Sequence, residues 1–543
     1  MSEALANFLW PGWHGGQLIA LSGVEGGRRT DDAGGLVCRT ETEGIAVVFP
    51  AAGRLRLTAP VLRAAVSCDC LIAETAAGPL RGAMLDAHHL LLEGPVGVVA
   101  MEPGLAVKAE GRRLLIGTEA AFQPAHVAED LESATAARGA WVLAQPLLAR
   151  QQGLRRHTVF RALSVMKGQV CSAEGAVPHR WTTPDRWPHK DMWLWDSVFH
   201  AIGWRHLDLP LAREMIEAVL SCQKPGGFVP HQASPSRRPS EITQPPVLAY
   251  GVALVDALSP DRDWIARLYP KLCAYVQWDL AHRDGDGDGL CEWFMEGDPN
   301  SRSGESGMDN SPRFDFHYPT PLGAVDFNAF LALECATLCR LANRLGMASE
   351  AALWQARADR LGRLIDERLW SGEANFYCDY DALREAHSPV LASAGFLPLL
   401  GGIPSLGRAR RLLAHLNDPQ GFGTAFPVPS VAAGSAHYAK DMWRGPSWIN
   451  LNWLIARGLE VYAGQDAAFA AKATAIDAAT VATIEAFCGR FATFFEYYDA
   501  LGETDPPHLL RKGECNPENP FRQVIHDYGW TATLYLDLVA RGA

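Results

Sequence analysis

The 543-residue chain has no CxxC pair, no excess of basic charge, no uninterrupted apolar run of about twenty residues, and no phosphate- or dinucleotide-binding glycine motif. Each absence removes a class of function. The 12 cysteines are scattered, so neither a zinc ribbon nor a disulfide framework is indicated, and a reducing cytoplasm suits them. Cys68 and Cys70 have the period-two spacing of one strand face; Cys335 and Cys339 have the i, i+4 spacing of one helix face. A formal net charge of −12 argues against the basic face of a nucleic-acid binder. The opening residues MSEALANFLWPGWHGG show neither a basic nor a sustained apolar region, so no signal peptide is expected, and no membrane span is expected elsewhere. Ser-His-Asp and Cys-His arrangements in recognisable motifs are also missing. The expectation is a cytoplasmic protein with no nucleic-acid or membrane partner, and no oligomeric state is read from the sequence.

What is abundant is tryptophan: 17 residues, many of them in the middle and last thirds beside Gly, Pro, Asp and Arg. Indole rings stack on the apolar C–H face of a pyranose, which would favour this composition, and a large aromatic core would favour it equally. A content of 48% hydrophobic residues and a mean hydropathy near zero are those of a soluble globular chain. The length calls for more than one core.

The hydrophobic pattern changes period along the chain. Residues 1–125 contain short apolar runs, GIAVVFP, RLRLTAPVL and HLLLEGPVGVVAM, between Gly, Pro and Asp turns, which predicts an all-β, sandwich-like domain. Residues 126–153 have helical spacing and read as a linker. From 154 to 543 the chain is helix after helix, about a dozen with apolar residues at i, i+3, i+4. No solenoid repeat is visible. Unequal helices joined by alternately short and long loops predict a mainly α fold, an (α/α)6 toroid with its long loops gathered at one rim; a bundle is the rival.

Four segments concentrate the chemistry. RWTTPDRWPHKDMWLWDSVFHAIG carries Trp193, Trp195 and Asp196, a sugar clamp unless Asp196 merely caps the following helix. GDPNSRSGESGMDNSPRFD is a long polar loop with Glu305, Asp309, Arg313 and Asp315, in which nothing suggests core packing. HYAKDMWRGPSWINLNWL places Trp443, Arg444 and Trp448 at a helix entry, as clamp or as packing. FATFFEYYDALGE embeds Glu496 among aromatic residues, where an uncompensated carboxylate is costly. Two carboxylates on separate loops of one pocket are the apparatus of glycoside cleavage: one protonates the leaving oxygen, the other activates water or attacks. A fifth segment, HRDGDGDGLCEWF, spaces Asp284, Asp286, Asp288 and Glu292 like the first nine positions of a calcium loop, with Met295 where the twelfth would be Glu. A structural Ca²⁺ is the expectation there, against an Asp-Gly turn, and no cofactor is expected for the chemistry.

The motifs WLWDSVFHA, TQPPVLAYG, ESGMDNSPRFD, YAKDMWRGPSWINLNWL, FFEYYDALGE and HDYGWTA occur in the order found in (α/α)6 glycosidases. Over residues 155–543 the chain resembles glycoside hydrolase family 63 and its mannosylglycerate-hydrolase-like relatives, the clan that includes processing α-glucosidase I and trehalase. The resemblance implies an inverting hydrolase of a small α-linked carbohydrate, an α-glucoside or α-mannoside of oligosaccharide or glycosyl-glycerate type. It places the general acid on Asp309 and the general base on Glu496. Trp195, Asp196, Gln244, Arg444 and Trp448 fall in the sugar site by the same matching, and Arg313 and Trp530 lie in matched motifs. The chain departs from the pattern at Met308, where the family often has Trp, and in the long stretch after Glu503. Both departures fall where the aglycone should sit. Rival readings are another toroid activity, a phosphorylase or polysaccharide lyase, and a non-catalytic sugar-binding protein.

Overall fold

Among the described residues, twelve helical segments of nine residues or more follow one another between Gly153 and Arg541. In the computed structural model the described residues are 2–11, 15–25, 27–40, 44–47, 53–316 and 318–543. Burial sorts the helices into two kinds. Leu194–Trp204 is buried on every side, and Ile449–Glu460 and Gly529–Arg541 are buried over all but their last residues. Helices apolar all round belong inside other helices. Leu209–Ser221 and Arg262–His282 bury one stripe each, Leu211, Met215, Ile216 and Val219 in the first, Trp264, Leu268, Leu272 and Tyr275 in the second.

The inner ring closes on itself. Leu194–Trp204 packs on Leu248–Asp256, then on through Val325–Leu345, Ser393–Gly401, Ile449–Glu460 and Gly529–Arg541, which returns to Leu194–Trp204. Gly153–Gln169, Leu209–Ser221, Arg262–His282, Ala348–Leu364, Leu406–Asn417 and Ala467–Phe491 form the outer layer. This is an (α/α)6 toroid. The inner segment Ser393–Gly401 is a 3₁₀ turn series, with Pro398 inside it. Ala467–Phe491 is long and apolar enough to pass as a membrane span by length and composition. It lies on Ile449–Glu460 and Gly529–Arg541 through Phe469, Ala473, Ile476, Val481, Ile484 and Cys488.

Helix starts differ between the layers. Asp208, Asp261, Ser405 and Asp466 cap four outer helices with their side chains. The six inner helices begin without a side-chain cap, at Trp193, Val247, Ala324, Ala392, Trp448 and Tyr528. Neighbouring segments supply acceptors to several of their first N–H groups: Gln244 Oε1 for Trp195 N at 3.0 Å, Glu334 for Ala249 N and Tyr250 N at 2.8 and 2.7 Å, Asp379 for Val325 N at 2.9 Å.

The amino-terminal strands form two antiparallel sheets. Seven strands run in the spatial order Trp10–Pro11, Val61–Val66, Cys70–Thr75, Gly78–Asp86, His89–Glu93, Arg113–Thr118, Leu105–Glu110. Five run Val96–Met101, Gly53–Leu57, Gly44–Val47, Val37–Thr40, Leu18–Ala20. Ile19, Cys38, Ile45, Leu55, Leu71, Met84, Leu90 and Ile116 form one buried cluster between them. The period-two partners on the larger sheet's other face, Cys70, Ile72, Leu91 and Leu115, join the core of the helical part, where helix Leu131–Leu143 lies against the sheet. Residues 48–50, the end of the GIAVVFP run, lie outside the described residues. Cys68 does not share a strand face with Cys70: it stands at φ 69° in the turn before the strand, and its thiol faces the Ala20 carbonyl. A buried ion pair ties the two parts together, Lys167 with Asp69 at 3.0 Å, and within the helical part Arg161 pairs with Asp527. Asp527 also accepts from Leu18 N and from the Thr493 hydroxyl. That fixes the residue next to Tyr528, where the last inner helix begins.

Candidate active site

The amino-terminal ends of three inner helices and the loop before a fourth line a cavity of about 420 Å³, counted with its open mouth. Each of those ends carries a partial positive charge, so the rim favours carboxylates and other oxygen-rich groups. Trp193, Trp195 and Asp196 come from the start of Leu194–Trp204, Gln244 from the loop before Leu248–Asp256, and Trp448, Tyr528 and Trp530 from the starts of the last two inner helices. Asp309 enters on the 304–314 loop, and Glu496 on the segment after helix Ala467–Phe491.

The aromatic frame is tightly interlocked. Trp443 and Trp448 stack with centroids 3.7 Å apart and planes 4° apart, and Trp195 meets Trp530 edge-on at 5.3 Å. Gly307 is required beneath Trp195: its φ is +70°, and a Cβ there would fall 2.4 Å from the indole Cζ2. Trp193 Nε1, Trp530 Nε1 and Asp196 Oδ1 are buried and lack a hydrogen-bond partner, which leaves polar groups on the wall of the cavity for hydroxyls of a bound sugar. Asp196 lies in the first turn and does not cap its helix. Burial pushes its carboxyl well above the usual range, with Asp185 and Glu496 adding to the rise. Burial holds the neighbouring His231 down at about 4, a neutral ring at physiological pH.

The two carboxylates are each paired. Glu496, 2% exposed, accepts from Arg511 Nε at 3.0 Å, and its own N–H donates to the Ile525 carbonyl. Asp309 Oδ2 stands 2.8 Å from Lys512 Nζ. Burial pushes the Asp309 carboxyl up, but Lys512 and Arg511, joined by His231 at the acid pH where its ring is charged, outweigh it and leave it below the usual range.

Of the residues expected in the site, Trp193, Trp195, Asp196, Gln244, Asp309, Trp443, Trp448, Glu496 and Trp530 line this cavity; Arg313 and Arg444 do not. Arg313 is 1% exposed and bonded to Asp326 and Asp379 at the start of Val325–Leu345, an ion-pair knot that holds the loop. Arg444 reaches out to Asp315 at 2.6 Å. Nor is the 304–314 loop simply solvated: Glu305 is fully buried and accepts from Arg283, Thr243 N and Phe294 N, and Met308 is 2% exposed. Sequence reading passed over His189, His231, Arg511, Lys512 and Tyr528. His189 and Tyr528 lie inside the quoted motifs, and the two cations lie in the stretch already marked as departing from the pattern.

Asp284, Asp286, Asp288 and Glu292 converge away from this cavity, one carboxylate oxygen from each within 4.8 Å of the others. Burial pushes Glu292 up to about 7, and the three aspartates add to it. Asp284 Oδ1 is buried without a partner, while Asp288 is held by Arg368 at 2.5 Å. The oxygen-only donor set fits a hard cation.

An inner helical ring around a tryptophan-walled cavity with two carboxylates is the arrangement of an (α/α)6 glycoside hydrolase. The sequence agrees: the chain belongs to the mannosylglycerate hydrolase MGH1-like glycoside hydrolase family, whose domain model matches residues 188–531. It is 31% identical over 404 residues to the mannosylglycerate hydrolase of Thermus thermophilus, covering 59% of this chain and 91% of that one. A crystal structure of a GH63 mannosylglycerate hydrolase, also from Thermus thermophilus and in complex with Tris and D-glycerate, superposes with a TM-score of 0.57 at 28% identity. That match covers 70% of this chain and all of the other. A bacterial glucoamylase complexed with acarbose matches in fold over 98% of this chain and 94% of its own, with a TM-score of 0.61 at 11% identity.

Proposed function

We propose that this chain is an inverting hydrolase of small α-glycosides, of α-glucosyl or α-mannosyl type, whose aglycone is glycerate or a molecule of its size and charge. Asp309 gives its proton to the glycosidic oxygen as the C–O bond breaks and the electron pair passes to that oxygen. Glu496 takes a proton from water, and the water attacks the anomeric carbon from the opposite face. The observation that carries this reading is the meeting of two carboxylates from distant segments, Asp309 and Glu496, in one cavity walled by tryptophans. Asp196, Trp193 and Gln244 would hold the glycon, since their polar groups face the same cavity. The name of the Thermus thermophilus relative, and the D-glycerate in the crystal structure that superposes on this chain, support the choice of aglycone. The Asp284–Glu292 cluster we read as a structural Ca²⁺ site with no part in the chemistry.

Proton NMR during the first minutes of hydrolysis tests the mechanism. Inversion releases the β-anomer first, because water enters opposite the departing α-linked oxygen. An initial α-anomer, or a glycosyl-enzyme trapped on Glu496, would refute the role given to Glu496.

A further inference from the structure

Arg511 and Lys512 are neighbours in sequence, yet they reach different carboxylates, Glu496 and Asp309. Their setting is built. Arg511 N donates to the Glu514 carbonyl at 2.7 Å, and between them Lys512 and Gly513 have φ 56° and 83°. Two successive left-handed residues make the tight hairpin turn that usually takes Asn, Asp or Gly at both positions, so a lysine at the first is an unfavourable choice locally. The turn is pinned from several sides. Gly513 N donates to Asp441 Oδ2 at 3.0 Å, the Tyr497 hydroxyl to the Leu510 carbonyl at 2.6 Å, and an Arg522 nitrogen to the Lys512 carbonyl at 3.0 Å.

The two cations differ in freedom. Arg511 is 4% exposed and also donates to the Phe521 carbonyl at 2.7 Å, which commits its guanidinium. Lys512 keeps a side chain 20% exposed, and its ammonium has Asp309 as ion-pair partner. A carboxyl that must donate a proton is opposed by an ammonium 2.8 Å away. Lys512, Arg511, His231 and Glu296 are the charged and titratable groups that face Asp309; Lys512 is the nearest cation and the one on a flexible stem.

We infer that Lys512 is the receptor for a carboxylate on the aglycone, and that its ammonium passes from Asp309 to that carboxylate when substrate binds, which frees Asp309 to hold the proton it donates. The inference rests on the reading of Asp309 as general acid. The proton comes from solvent: binding of an anionic aglycone takes up a proton on Asp309, and catalysis later delivers it to the glycosidic oxygen. A neutral aglycone leaves Lys512 on Asp309 and is a poor substrate. Lys512 is thus a specificity residue that also positions the charge state of its neighbour.

D-glycerate and glycerol, titrated calorimetrically into the full-length protein near pH 6.5 in two buffers of different ionisation enthalpy, separate these events. The wild type is expected to bind D-glycerate about 10- to 100-fold more tightly than Lys512→Met, the scale of one charge-assisted contact. Glycerol should bind both alike. Lys512→Arg should recover most of the affinity, and proton uptake should accompany D-glycerate in the wild type and be lost in Lys512→Met. Equal D-glycerate affinity in wild type and Lys512→Met would overturn the receptor, and tight binding without proton uptake would overturn the transfer. The titration needs no turnover, so glycerate binding through Lys512 in a protein that cleaves no glycoside would instead sink the hydrolase reading.

Discussion

Substitution of Gly307 by alanine tests whether the cavity wall is as rigid as its packing implies. Two costs add. Placing an L side chain at φ +70° costs about 1–2 kcal/mol. The new methyl would also stand 2.4, 2.7 and 2.9 Å from three atoms of the Trp195 indole, so ring or loop must move by about 1 Å to restore ordinary contact. Trp195 is 2% exposed and wedged against Phe199, Trp443 and Trp530, so it has little room, and overpacking of this kind costs about 1–3 kcal/mol. The sum is about 2–5 kcal/mol. Asp309 is two residues away, and a shift of about 1 Å in a positioned group lowers turnover by about 100-fold. Gly346→Ala is the control: φ is +80° with nothing within 4 Å of the added Cβ, so it carries the backbone cost alone. Urea unfolding and steady-state hydrolysis of both variants decide the matter. If Gly307→Ala is no less stable than Gly346→Ala and turns over like wild type, the wall yields, and the argument from packing fails.

Three further outcomes are expected. Asp309→Asn should fold normally and lose at least about 100-fold in turnover on natural-type glycosides, with a smaller loss on glycosyl fluorides, whose leaving group needs no proton; equal losses on both would refute the acid role. Removal of divalent ions should lower the melting temperature without abolishing hydrolysis, because an ion held only by the folded chain stabilises it; an unchanged melting temperature, with no calcium in the purified protein, would reject the Asp284–Glu292 site. Burial holds Glu334 up at about 7, so the folded chain keeps a proton that the unfolded chain has released above about 4.5. Its contribution therefore falls as pH rises from about 4.5 to 7, by roughly 3 kcal/mol in all, and the melting temperature of Glu334→Gln minus that of wild type should increase between pH 5 and 8. A gap independent of pH would show that Glu334 is already ionised at pH 5.

The change of hydrophobic period near residue 125 made the two-part architecture legible, and the closed inner ring is what helices of such unequal burial build. Four motifs, WLWDSVFHA, TQPPVLAYG, YAKDMWRGPSWINLNWL and HDYGWTA, marked four of the cavity's walls, because each sits at an inner-helix start and three of them carry tryptophan as a local signal. Arg313 and Arg444 lie outside the cavity's lining, which the sequence could not foretell: an arginine beside a catalytic-type motif has the same local sequence whether it faces a sugar or an aspartate 13, 66 or 129 residues away. Glu305 misled in the same way, its acidic loop hiding a buried carboxylate fixed by Arg283 and two backbone N–H groups. Long-range ion pairs leave no periodic trace.

Lys512 and Arg511 are the sharpest instance, since the stretch after Glu503, though it falls where the aglycone should sit, carries no apolar period and nothing local that aims either cation at a carboxylate. What makes it part of the site is a turn of four residues, pinned at Asp441 and Tyr497, that sets two adjacent cations against carboxylates arriving from residues 309 and 496. The consequence is an asymmetry between two groups that a two-carboxylate mechanism would otherwise treat alike. Glu496 has a cation held in place by a backbone carbonyl as well, which suits a base that must stay charged when water approaches. Asp309 has a cation on a flexible, partly exposed stem, which suits an acid whose charge must be lost before it acts. In a solvent-poor pocket the same attraction that steadies one carboxylate would silence the other unless it can be diverted, and an anion on the incoming aglycone is the simplest group able to divert it.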